Sequence, residues 1–168
     1  PDITGVNLIT WDKQQVRKML YPMRKYLRVV KPDVVFSAED HLNAMVLLAA
    51  ILSRSKAKIS CSSRVTPFDT YSNVPFTKRW ILKQLVRSVM WRADALTCVS
   101  KDMVDQYRQV FKSPPHVSIY NIVDDKNSRA RICETVEHEC FINRNVPVLV
   151  AAGRLAPWKG FADLIHAI

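Results

Sequence analysis

Short apolar runs alternate along this chain with segments whose apolar residues return every three or four positions. That rhythm predicts strands alternating with helices. Ile3–Ile9 reads as a first strand, and Asp12–Val30 has helical period, with Pro22 placed to break or kink it into two helices. Lys31-Pro32-Asp33 is a turn, and Val34–Phe36 a short buried strand. His41–Leu52 is a helix rich in Leu and Ala, Lys58–Cys61 the next strand, and Ser62–Pro75 a long polar loop. Phe76–Trp91 is helical in pattern and Ala95–Val99 is a strand. Ser100 is set to N-cap the helix Lys101–Phe111, with Asp102 favourably placed in its first turn. Val117–Tyr120 is a further strand. A polar connector, Asp124–Asn145, has room for one short helix, and a strand at Val148–Ala151 opens the terminal unit.

Alternation of this kind, with nearly continuous apolar strands, predicts an α/β fold: a Rossmann-like, doubly wound parallel sheet with helices on both faces. Ligands of such sheets gather beyond the carboxyl ends of the strands, so the loops that matter are Ser37–Asp40, Ser62–Asn73, Ser100, Asn121–Asp124 and Gly153–Lys159. An irregular stretch of about twenty residues is unusual inside one compact domain. The expected division is therefore residues 1–124, a linker at 125–146, and a second Rossmann-like domain beginning at 147–168.

Charge sharpens this picture. The net charge is +10, and residues 1–124 carry nearly all of it, with 19 Lys and Arg against 10 Asp and Glu. Lys13–Lys31 holds seven basic residues and Lys78–Arg92 five, and neither stretch has an acidic residue. Such a surface prefers anionic partners: lipid headgroups, nucleic acid or a phosphorylated substrate. On the helix Phe76–Trp91, Arg79, Lys83 and Arg87 form one stripe at a spacing of four, which nominates that helix for peripheral contact with an anionic membrane.

The longest apolar run, Ala44–Leu52, has nine residues, where a membrane span needs about 20. Cys61, Cys98, Cys133 and Cys140 are scattered, which fits reduced thiols in the cytoplasm. Cys133, His138 and Cys140 lack the paired CxxC spacing of a zinc site, so no metal is expected.

The densest chemistry lies in Gly153-Arg154-Leu155-Ala156-Pro157-Trp158-Lys159-Gly160. The chain has three glycines, and two of them frame this loop between an apolar run and an amphipathic helix. Glycine lets a backbone approach a ligand closely, and Arg and Lys neutralise phosphate.

Four segments in order carry a family resemblance. They are Lys31-Pro32-Asp33-Val34-Val35, Arg92-Ala93-Asp94-Ala95-Leu96-Thr97-Cys98-Val99-Ser100, Tyr120-Asn121-Ile122-Val123-Asp124, and Gly153-Arg154-Leu155 with Lys159-Gly160. Together they resemble the retaining family 4 glycosyltransferases of the two-Rossmann-domain (GT-B) type, found in lipopolysaccharide and polysaccharide biosynthesis. The resemblance implies transfer of a sugar from a nucleotide diphosphate-sugar donor to a glycan or lipid-linked acceptor, with retention and without a further cofactor.

By that resemblance Arg154 and Lys159 hold the donor diphosphate and stabilise the charge that develops as it departs, with Gly153 and Gly160 shaping the loop. Asp40 or His41 would contact a sugar hydroxyl, and Arg64 a donor or acceptor phosphate. The family's Gly-rich acceptor loop and its pair of glutamates eight apart have no counterpart here, so the chain reads as an internal piece, inactive alone. The rival readings are weaker. A basic nucleic-acid-binding α/β module would interleave aromatics with its cations, and these runs do not; a dinucleotide dehydrogenase would carry GxGxxG, which is absent.

Overall fold

Four short runs pair in parallel as β1 (Val34–Ala38), β2 (Lys58–Ser63), β3 (Ala95–Cys98) and β4 (His116–Ser118), in the order β1-β2-β3-β4. They belong to a computed structural model that describes residues 5–12, 15–122, 126–142 and 147–168. Val34 lies opposite Lys58, Ser60 opposite Ala95, and Leu96 opposite His116. Around the strands run α1 (Leu20–Val29), α2 (Asp40–Ser53), α3 (Pro67–Thr70), α4 (Lys78–Val89) and α5 (Lys101–Val110). The arrangement is the α/β, Rossmann-like one that the rhythm of the sequence predicts.

Consecutive strand order has a consequence for the sheet's two faces. Right-handed crossovers that always step the same way deliver every helix to the same side. Ile59, Cys61, Ser63, Leu96 and Cys98 are accordingly buried, whereas Val34 and Phe36 on the opposite face are 65% and 64% exposed. Helices on both faces were expected from the sequence; among the described residues they cover one.

Pro22 does not break a helix. It is the third residue of α1, in the turn whose N–H groups have no intrahelical partner, and a 3-10 turn at Val16–Met19 precedes it. The expected first strand is not formed over its described part, 5–9, where Val6, Leu8 and Ile9 are exposed; Ile3 is outside the described residues. The loop after β2 contains one unforeseen helical turn, α3, capped by the Thr66 hydroxyl, which accepts from the Asp69 N–H. Ser100 caps α5 as anticipated, accepting the Met103 N–H.

The Arg92–Asp94 segment proves to be a strand clamp. Asp94 accepts the Ile59 N–H at 2.9 Å and the Lys58 ammonium at 2.9 Å, while its own N–H donates to the Ile59 carbonyl. Arg92 donates to the carbonyls of Ser55 and Ala57, both at 2.7 Å. The backbone bond and Lys58 hold the Asp94 carboxyl below the usual carboxylate range.

The chain divides into two compact units, Pro1–Asn121 and Ile122–Ile168. The second contains α6 (Lys126–Ile132), α7 (Glu139–Ile142), a 3-10 turn at Pro157–Lys159 and α8 (Phe161–Ala167). The strand expected at Val148–Ala151 is absent: a strand exists only through its partner, and no described residue of this unit pairs with the run. Val123, Asp124 and residues 143–146 lie outside the described residues. No described helix is long and apolar enough to cross a membrane.

Burial, and then the charge on Asp40, push the Cys61 thiol up to about 12 and the Cys98 thiol to about 11. Both therefore stay protonated well into the alkaline range, where an exposed thiol has already ionised. A thiol reagent at pH 8 is expected to modify exposed Cys133 in the folded protein and to reach Cys61 and Cys98 only on unfolding. Since unfolded thiols ionise near their ordinary 9.0, this part of the stability is intact below that pH and is lost as pH rises past it. Urea titrations between pH 8 and 11 measure the decline.

Candidate functional site

The carboxyl edge of the sheet is organised around Asp40, the first residue of α2. Asp40 is 4% exposed. Its carboxyl group accepts hydrogen bonds from the hydroxyls of Ser63 at 2.9 Å, Tyr71 at 2.8 Å and Tyr107 at 3.0 Å. The Tyr107 hydroxyl also lies 3.1 Å from the Val65 carbonyl. These partners come from the end of β2, the loop after α3, and α5. Burial, reinforced by Asp40, pushes both tyrosine phenols well above their ordinary range. The neighbouring Asn43 is buried and donates to the Ser62 carbonyl at 3.1 Å.

Of the pair named for a sugar hydroxyl, Asp40 or His41, the first is turned inward and the second is exposed. Both oxygens of Asp40 are occupied. Nothing in the local sequence gave that away, because its partners lie 23, 31 and 67 residues distant.

Drawing Asp40 inward leaves Glu39 outside. Glu39 is exposed and has φ 78° and ψ 129°, outside the basins open to residues with a Cβ. Its N–H donates to the Ser62 carbonyl, and its carbonyl accepts from the Asn43 N–H at 2.8 Å. Strain of this kind costs about 1–3 kcal/mol and persists where the surroundings fix it. Since Ala38 pairs with Ser62, the ends of β1 and β2 bring Glu39, His41 and Arg64 to one edge, all three exposed. Glu39 lies in the Ser37–Asp40 loop that the strand order nominates, but a positive φ on a non-glycine residue leaves no trace in sequence.

In the second unit the loop from Gly153 to Gly160 closes on itself. A Cβ placed on Gly153 would meet the Phe161 ring at 3.3 Å and the Lys159 stem at 4.0 Å, so glycine is what allows the two ends of the loop to touch. Gly160 adopts φ 69°, donates to the Pro157 carbonyl, and turns the chain from the 3-10 turn into α8. Arg154 directly follows the glycine that packs on Lys159. Both cations are exposed, and neither is in an ion pair or side-chain hydrogen bond among the described residues. The nearest acid is Asp163 in the first turn of α8, its oxygen 3.7 Å from where a Gly160 Cβ would stand.

A parallel Rossmann-like sheet ordinarily carries its ligand-binding groups beyond the carboxyl ends of its strands, where Glu39, His41 and Arg64 lie here. The family model of Glycosyltransferase Family 4 matches residues 4–127, and the chain belongs to that family, whose chemistry is glycosyl transfer. No curated protein matches the chain. The match takes in the first unit and ends before the Gly153–Gly160 loop. Among the described residues, no group of three His, Cys, Asp or Glu could hold a metal ion.

Two substitutions should separate the strained residue from the one that imposes the strain. Glu39→Gly is expected to raise stability by about 1 kcal/mol through relief of φ. Asp40→Asn is expected to lower it by about 2 kcal/mol, because an amide N–H₂ then faces hydroxyl donors. Denaturant midpoints of the two variants give the comparison, and equal shifts in one direction would contradict it.

Proposed function

We propose that the chain takes part in transfer of a hexosyl group from a nucleotide diphosphate-sugar to a glycan or lipid-linked acceptor, with retention, within a two-Rossmann-domain (GT-B) enzyme of lipopolysaccharide or polysaccharide assembly. Residues 1–124 belong to the acceptor side and 147–168 to the donor side. The observation that carries this reading is the closed loop Gly153–Gly160 with two cations that have no side-chain partner among the described residues.

As the sugar–phosphate bond breaks, negative charge accumulates on the departing diphosphate. Arg154 and Lys159 stabilise that charge more strongly as it grows, so their effect falls on the transition state. No resident metal is needed for that step. Glu39, His41 and Arg64 are the polar groups available to sugar hydroxyls or phosphate at the first unit's carboxyl edge. Arg154→Ala and Lys159→Ala in the complete protein are each expected to lower kcat about 10²-fold with smaller changes in KM. Unchanged rates in both variants would remove this mechanism.

The membrane-facing surface is better sought on α1 than on α4. Arg79 donates to the Phe68 carbonyl and Lys83 to Asn73, so that stripe is occupied in tying down the loop before α4. Along the 3-10 turn and α1, a groove of about 730 Å³ is lined by Arg17, Lys18, Arg24 and Lys25 together with Tyr21 and Leu52. Cations beside exposed apolar groups suit a cytoplasmic, peripheral position on an anionic bilayer. Cosedimentation with vesicles containing anionic lipid is expected and should weaken with salt; equal binding to neutral vesicles would refute this contact.

A further inference from the structure

At the amino-terminal edge of the sheet, remote from the strands' carboxyl ends, a cleft of about 490 Å³ opens between the ends of α1 and α2. Arg28, Lys31, Arg54 and Lys56 line it, against one acid, Asp33. Among the described residues none of these four cations is in an ion pair or a side-chain hydrogen bond. Buried Leu27 and Ala57 form part of the wall, and an apolar wall strengthens the field of charges beside it.

Two of the cations stand where the backbone favours another residue. Lys31 has φ 49° and Arg54 φ 52°, the left-handed conformation that helix ends ordinarily give to glycine. Arg54 closes α2, its N–H donating to the carbonyls of Ala50 and Ile51; Lys31 lies just beyond α1. A cation near a helix carboxyl terminus complements the macrodipole, which accounts for one charge at each end. It does not account for four cations around one hollow, two of them in strained backbone.

We propose that this cleft binds phosphate groups, as a phosphomonoester or diphosphate carried either by a soluble compound or by a lipid headgroup. Guanidinium and ammonium donors from both helix ends and from the segment leading into β2 converge on it. Their excess over Asp33 is three positive charges, enough to receive a di- or trianion. The site is separate from Arg154 and Lys159 and does not depend on the roles given to them.

Because glycine suits φ near 50° better than lysine or arginine, Lys31→Gly and Arg54→Gly remove a cation without weakening the backbone. Pyrophosphate is titrated by NMR at low ionic strength into the wild-type chain, the two glycine variants and the Arg154→Ala/Lys159→Ala double variant. A second arm uses phosphatidylcholine vesicles with and without phosphatidic acid. Each glycine substitution is expected to weaken binding about tenfold, as for loss of a charged hydrogen bond, with the melting temperature held or raised. The double variant should keep this site. Pyrophosphate binding weakened in the glycine variants and kept in the double variant assigns a soluble phosphate; binding seen only with phosphatidic acid, and weakened in the same glycine variants, assigns the headgroup. Should either glycine variant unfold, Lys31→Asn and Arg54→Asn, also tolerated at positive φ, replace it. Binding that the glycine or asparagine variants leave unchanged, or no binding in either arm, overturns the proposal.

Discussion

The Asp40 carboxyl group fixes the geometry of the whole carboxyl edge. A lone buried carboxylate is costly unless hydrogen-bonded, and here hydroxyls from the end of β2, the loop after α3, and α5 converge on it. Its place in the first turn of α2 adds a favourable helix dipole. One charge thus ties α2 and α5 to the loop between them. Its field also reinforces burial in keeping Cys61 and Cys98 protonated. With Asp40 held inside, Glu39 adopts a positive φ and is exposed at the edge where His41 and Arg64 also emerge.

The large positive charge resolves into different tasks once each cation is placed. Arg92 and Lys58 clamp β2 through backbone carbonyls and Asp94. Arg79 and Lys83 hold the loop before α4. Among the described residues, cations without such a partner include Lys25 and Arg28 on α1, Arg54 and Lys56 at the amino-terminal edge of the sheet, and Arg154 and Lys159 on the Gly153–Gly160 loop. A basic run in sequence is therefore a poor guide to a ligand. The Lys78–Arg92 run looked as available as Lys13–Lys31, yet long-range carbonyls and amides had claimed three of its members.

Parallel alternation was legible because it is written locally. Val34–Val35–Phe36 and Ala95–Leu96–Thr97–Cys98 are apolar enough to identify strands, and Ser100 is a cap by its own chemistry. Pairing is not local. Ile3–Ile9 and Val148–Ala151 have strand composition, but composition says nothing of whether a neighbouring strand is present. Pro22 misled for a related reason: the same residue that would disrupt a helix interior is harmless in a first turn, and only the true start of α1 distinguishes them. The loop residues Gly153, Arg154, Lys159 and Gly160 were legible because glycine is rare here. The burial of Asp40 was not legible, because its three partners are scattered over the sequence.

Scarcity of glycine clarifies a wider choice in this chain. Among the described residues, four with side chains, Lys31, Glu39, Arg54 and Phe76, adopt positive φ, where glycine would be less strained. All four are exposed, and three are charged, with side chains at the edges of the sheet where a ligand can reach them. Glycine is kept instead for Gly153, where a Cβ would press on the Phe161 ring, and for Gly160, where the loop turns into α8. Side chain is thus retained where chemistry is available to it and given up where backbone must come close. Strain carried by Glu39, Lys31 and Arg54 is then a structural cost with a definite counterpart, a charge held in place at the surface, rather than an accident of packing.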